Sequence, residues 1–152
     1  MSDVLTFMMG EFEAEFPTDR SYAKNHMWAK VLDDSTIQFG FSAYAVRLLQ
    51  DVYFLDWLIE APANLDAGQE MGSIESKKAE SALYAPLTGQ LVELNEALMD
   101  DPSTINVDKY ERGWLFAMQA SSTDLLEPQQ YINLLDDVWD KTQRTIKGQL
   151  NE

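Results

Sequence analysis

Two adjacent lysines, Lys77 and Lys78, carry the most chemistry that this sequence offers. They stand in the stretch Glu75-Ser76-Lys77-Lys78-Ala79, between two strand-like segments near mid-chain. A tight hairpin there presents an amine to solvent. Eight residues after Lys78 comes a turn signal at Pro86, with Gly89 behind it. A free lysine has a pKa near ~10.4 and does no acid–base work at neutral pH. It gains a use when a group carrier is joined to it, so that the cofactor supplies the chemistry and the protein supplies position. Stiff strands would offer the amine to a modifying enzyme, and the tethered arm would hold its reactive end near a docked partner. Taken alone, the stretch reads more simply as a charged, solvated turn.

Other reactive side chains are sparse. The single histidine, His26, precedes Met27 and Trp28 and has no nucleophile elbow or metal-ligand spacing around it. It reads as a hydrogen-bonded structural residue. Asp33-Asp34 and Asp100-Asp101 lie at turn signals, where carboxylates serve as turn and cap acceptors. The sequence has no cysteine, which excludes disulfides, thiolate metal sites and cysteine nucleophiles. Neither a glycine-rich phosphate loop nor the alternating oxygen ligands of a calcium loop are present.

The 152 residues suit one domain with a real core, and 45% hydrophobic content with 11% aromatics marks a globular chain. No apolar run approaches the roughly 18 residues that span a bilayer. Leu5 to Met9 is too short for a signal core and lacks a basic flank. A cytoplasmic location is the expectation, with no membrane partner. The net charge of −15 repels phosphate backbones, so no nucleic-acid partner is expected. That charge suits partners with basic faces, or is simply a solvated acidic surface.

These residues must be positioned by many short elements. In residues 1–20, Glu11, Glu13 and Glu15 alternate with Phe12, Ala14 and Phe16, a strand-like period that Pro17 ends. Met27 to Phe41 predicts a hairpin broken at Asp33-Asp34-Ser35, with Trp28, Val31, Ile37 and Phe39 as apolar contacts. Ser42 is placed to cap a short helix reaching about Gln50, with Tyr44, Ala45, Leu48 and Leu49 inward. Asp51 to Ile59 predicts a strand, 62–68 a loop, and 71–75 and 81–84 the two arms of the lysine hairpin. A strand at 87–94, a short helix at 95–99 stopped by Asp101-Pro102, and a strand at 113–120 follow. From Pro128 the spacing of Tyr131, Leu134, Leu135, Val138 and Trp139 predicts a helix that covers the sheet, its last turns exposed from Asp140. The sum is a small β sandwich or barrel with helical trim.

Several spaced blocks give the chain a family resemblance. Glu75-Ser76-Lys77-Lys78-Ala79, followed by Tyr84-Ala85-Pro86-Leu87-Thr88-Gly89, resembles the lipoyl-lysine signature Glu-Ser-x-Lys-Ala and its downstream turn in the glycine cleavage system H protein family. The distance to Pro86 aligns Lys78, not Lys77, with the modified lysine. Tyr22 to Trp28 is similar to the family's Tyr-x-x-x-His-Glu-Trp opening, and Gly40 to Ala45 to Gly-Ile-Thr-x-Tyr-Ala. Val92 to Leu98, Asp101-Pro102, Ile105-Asn106 and Tyr110 to Leu115 continue in the same order, so that the likeness covers about residues 20–135. It departs at Met27, where the family has a Glu associated with holding the loaded arm's amine, and at Gln50, where it has Gly. The stretch from Asp51 to Gly68 is also about two residues longer than usual.

The resemblance implies a mainly β barrel-sandwich hybrid of lipoyl-domain type with short helices and a C-terminal helix. It divides the chain into an N-terminal extension (1–20), a lipoyl-carrier domain (21–127) and a C-terminal helix packed on it (128–152). It implies lipoate amide-linked to Lys78, within an attachment motif of Glu75, Ser76 and Ala79. The implied role is a non-catalytic carrier in glycine catabolism, shuttling an aminomethyl group between enzymes. Its implied partners are a pyridoxal-phosphate glycine decarboxylase, an aminomethyltransferase, dihydrolipoyl dehydrogenase, and the lipoate ligase or lipoyl transferase that loads it. Two alternatives stay open: a divergent carrier serving lipoyl transfer or another pathway, and an unmodified binding or scaffold module.

Overall fold

A computed structural model describes residues 3–33 and 35–151, with side chains as far as residue 141. The chain opens with a hairpin of β1 (Val4–Met9) and β2 (Phe12–Pro17), turning at Gly10, whose φ of 67° suits a residue without a Cβ. The period-two pattern holds: Ala14 and Phe16 are buried while the glutamates between them face out. The partner strand β1 carried no clear alternation in the sequence, and becomes legible only through its pairing.

The main sheet has six strands in the order β3 (Ser21–Tyr22), β4 (Met27–Val31), β5 (Thr36–Phe41), β11 (Phe116–Gln119), β10 (Gly89–Leu94) and β7 (Ala63–Leu65). A three-stranded sheet, β6 (Val52–Trp57), β8 (Glu70–Ser76) and β9 (Glu80–Tyr84), supplies the other half. Phe39, Leu91, Phe116 and Met118 of the first and Leu55, Ile74 and Leu83 of the second share one core. This is the expected mainly β barrel-sandwich architecture, with short helices added at α1 (Ala43–Leu49), α2 (Ala97–Asp100) and α3 (Thr104–Val107). Burial of this apolar surface is the main stabilising term.

A second core is built by parts that flank the main sheet. Phe7 and Phe16 of the hairpin, Tyr22, Trp28 and Tyr44 pack against Tyr131 and Leu135 of α4 (Pro128–Asn151). Tyr22 and Tyr131 stack with ring centroids 4.7 Å apart, and Phe7 meets Trp139 edge-on at 6.5 Å. The helical stripe therefore buries as the sequence predicts, but much of what it covers is the N-terminal hairpin and β3. The expected exposure of the last turns lies outside the described side chains, as does Asp34 of the Asp33-Asp34 pair.

Several local expectations give way to tertiary context. Val31 is 52% exposed, because β3 pairs only with Trp28 and Ala29 and leaves the far end of β4 uncovered. Leu48 is also exposed, and Val46 takes an inward place instead. The 62–68 segment contains β7, a strand recruited by pairing with β10. The last strand starts at Phe116, not Gly113, because the Gly113 amide donates back to the Asp108 carbonyl at 2.8 Å. Asp33 and Asp101 do serve turns: Asp33 accepts from the Ser35 and Thr36 amides, and Asp101 accepts from the Ser103 amide.

Candidate functional site: the lysine hairpin and its cleft

The two arms of the lysine hairpin pair in register, with Ile74 opposite Ser81 and Glu75 opposite Glu80. The turn is closed at Ser76 and Ala79. The Ser76 amide donates to the Ala79 carbonyl at 2.8 Å, the Ala79 amide donates to Ser76 Oγ at 3.1 Å, and Ser76 Oγ donates to the Ala79 carbonyl at 3.1 Å. Ser76 is buried, so these bonds form away from competing water. Lys77 and Lys78 are left as the two exposed apical residues. Glu75 sits half-buried in the outer face, and Ala79 is exposed where the return arm begins. All four motif residues thus come together in one turn.

The apex is tied down on one side. The Lys77 amide donates to the Asp51 carbonyl at 2.8 Å. That neighbourhood is held in turn by Asn106 of α3, whose Nδ2 donates to the Gln50 carbonyl at 2.6 Å and whose Oδ1 accepts from the Val52 amide at 2.9 Å. Sequence reading missed this brace, since its partners are 26 to 56 residues apart and only the fold brings them together. At the foot of the hairpin, a Cβ on Gly72 would clash with the Asp56 carbonyl, so glycine is what lets β6 close on β8.

On the other side the hairpin borders a cleft of about 400 Å³, running from Ala79 and Glu80 to His26 and Met27. Met27, Phe41, Leu49 and Ile74 give it an apolar lining. Met27 is 2% exposed, so its thioether forms wall rather than surface. Glu80, on the edge strand β9, stands at the rim, and Asn25 adds Oδ1, a buried acceptor with no hydrogen-bond partner in the structure.

His26 belongs to a polar relay behind this wall. Its Nδ1 lies 2.9 Å from the Tyr131 hydroxyl, which lies 2.8 Å from Ser42 Oγ. Burial holds the imidazole pKa down at about 4, so the ring is neutral at physiological pH. Burial also pushes the Tyr131 phenol up, despite the opposing hydrogen bond from Ser42. The expected structural role for His26 is what the geometry shows. Ser42 does stand at the N-terminus of α1, but its hydroxyl goes to Tyr131 and caps no helix amide. No local signal marks this contact, because the partner is 89 residues away. Among the described residues no cluster of His, Asp or Glu could hold a metal ion, and no helix is long and apolar enough to cross a membrane.

The family model for the glycine cleavage H-protein matches residues 20–138. A glycine cleavage system H protein of Stenotrophomonas maltophilia is 37% identical over 128 residues, 82% of this chain and 97% of that protein. One from Pseudoalteromonas translucida is 38% identical over 82% of this chain and 98% of its own length. The crystal structure of a glycine cleavage system H protein from Mycobacterium marinum superposes with a TM-score of 0.70 at 37% identity, covering 78% of this chain and 97% of that one.

Proposed function

We infer that this chain, which belongs to the glycine cleavage H-protein family, carries lipoate in amide linkage on Lys78. Its role is that of the family: a lipoyl carrier that shuttles an aminomethyl group between the enzymes of the glycine cleavage system. The observation that carries the site assignment is the asymmetric apex. Lys77 is anchored through its amide to Asp51, while Lys78 stands next to Ala79, where the cleft begins.

The residues present fit the group. An aliphatic acyl arm suits a wall of Met27, Phe41, Leu49 and Ile74, since burying apolar chain there removes it from water. Lipoate, once attached, supplies the sulfur pair that takes up and releases the aminomethyl cargo. The chain itself positions and shields. Ser76 fixes the turn, Asp51 and Asn106 hold its flank, and His26 stays neutral and adds no charge to the cleft wall. Nothing in this role requires the protein to catalyse a step. It would work in the cytoplasm beside a pyridoxal-phosphate glycine decarboxylase, an aminomethyltransferase and dihydrolipoyl dehydrogenase, and would be loaded by a lipoate ligase or lipoyl transferase.

Intact mass spectrometry of protein from a lipoate-competent host tests the assignment. One lipoyl increment is expected on the natural chain and on Lys77→Arg, and none on Lys78→Arg. An increment that persists in Lys78→Arg and vanishes in Lys77→Arg would move the site. No increment on any form, with a known lipoyl domain modified in the same host, would end the carrier reading.

A further inference from the structure

The flank of the hairpin opposite the cleft carries an aromatic pair that the fold leaves in water. Tyr53 is 62% exposed and Phe54 47% exposed, although both stand in β6, whose neighbours Val52 and Leu55 are fully buried. A bulge between Val52 and Phe54 causes this, by breaking the inward–outward alternation so that two successive side chains leave the core. The outward face around them is acidic. Phe54 stands opposite Glu75, Glu75 stands opposite Glu80, and Asp56 follows two residues on in β6. Two like charges directly across a strand pair weaken a sheet rather than stabilise it. An exposed aromatic pair on an edge strand is likewise a liability for a free monomer.

We propose that the Tyr53–Phe54 edge, with its frame of Asp56, Glu75 and Glu80, is the docking surface for the enzyme that acylates Lys78. The partner it fits has an apolar pocket bordered by Arg or Lys side chains. This rests on the carrier reading of Lys78. Reach selects the acylating enzyme over those that use the finished arm. A bare lysine amine stands only about 6 Å from its own backbone, on a four-carbon stem. The acylating active site must therefore come down onto the hairpin itself. The Lys77 amide is bonded to Asp51, two residues before Tyr53, so an enzyme seated on the apex also covers this edge. Enzymes that receive the longer acylated arm can stand further off. In the step, Nζ of Lys78 gives up a proton, attacks the carbonyl carbon of a lipoyl adenylate and forms the amide. AMP leaves with the electron pair of the broken acyl–phosphate bond. The ligase supplies that adenylate from lipoate and ATP. The acidic frame favours encounter with a basic rim, an effect that salt weakens.

The test compares unmodified natural chain, Tyr53→Ala/Phe54→Ala and Glu80→Lys as substrates of a purified lipoate ligase with lipoate and ATP. Attachment is timed by intact mass, at low and high salt, beside melting curves and sizing. The double variant should fold, reach full modification, and show a kcat/KM lower by about tenfold or more through KM, as loss of an aromatic anchor does. Glu80→Lys should lower kcat/KM at low salt and lose that effect at high salt. Unchanged kinetics in both variants, with Lys78→Arg inert, overturns the docking proposal and leaves the carrier reading standing. An unmodified natural chain overturns both. Two other outcomes also overturn it. One is normal attachment with impaired transfer by glycine decarboxylase, which assigns the edge to that enzyme. The other is a natural dimer that the double variant converts to monomer, which assigns it to a second copy.

Discussion

The Lys77 amide donates to the Asp51 carbonyl at 2.8 Å, and this one bond makes the two apical lysines inequivalent. It joins the tip of the hairpin to the strand edge that carries Tyr53 and Phe54. Asn106 grips the same segment through Gln50 and Val52. The tip is therefore a braced platform.

Gln50 occupies φ 60° and ψ −140°, backbone space that glycine enters freely and a side chain does not. The resemblance places a glycine at this position, and the backbone gives the reason. Gln50→Gly should raise stability by about 1 kcal/mol in denaturant unfolding, strain relief outweighing the added freedom of the unfolded chain. Asn106→Ala should lower it by about 2 kcal/mol, since it strips partners from the Val52 amide and the Gln50 carbonyl.

His26 gives stability a pH dependence of defined sign. Its folded pKa lies at about 4, below an unfolded value of 6.5, so between those values the unfolded chain binds more protons. Stability should fall as pH drops through this window, by about 2 kcal/mol between pH 7 and pH 5 from this residue alone. Below pH 4 both states are protonated and the loss levels off. His26→Gln should flatten the slope in that interval, read by chemical denaturation at each pH.

Met27 sets how the cleft treats a charged cargo. The side chain is buried in an apolar wall and offers no strong acceptor to an ammonium. Met27→Glu should cost the unloaded protein about 2 kcal/mol or more, by desolvating a carboxylate. The aminomethyl-loaded variant should recover part of that loss by pairing cargo and carboxylate. Melting temperatures of loaded and unloaded protein, natural and variant, read this out.

The N-terminal hairpin is part of the fold's second core. Phe16 is fully buried and meets the Tyr131 ring at 5.6 Å. Phe16→Ala should destabilise by about 3 kcal/mol. Because Tyr131 also touches His26, the variant should raise the exposure of that imidazole and shift its titration upward, followed by NMR.

The sequence alone determined the strand-rich class, the lysine hairpin, the turn duty of Asp33 and Asp101, and the buried stripe of α4. Each is local: hydrophobic period, turn chemistry and motif spacing act over a few residues. The ordered blocks carried the family. Tertiary structure decided the rest, because contacts across tens of residues leave no local trace. Val31 looked like core and lost its cover where β3 ends. Residues 63–65 looked like loop and became a strand by pairing with β10. Ser42 looked like a helix cap and spends its hydroxyl on Tyr131. The lysine was legible in the chain, but the cleft on one side of it and the exposed aromatic edge on the other exist only once two sheets close around a shared core.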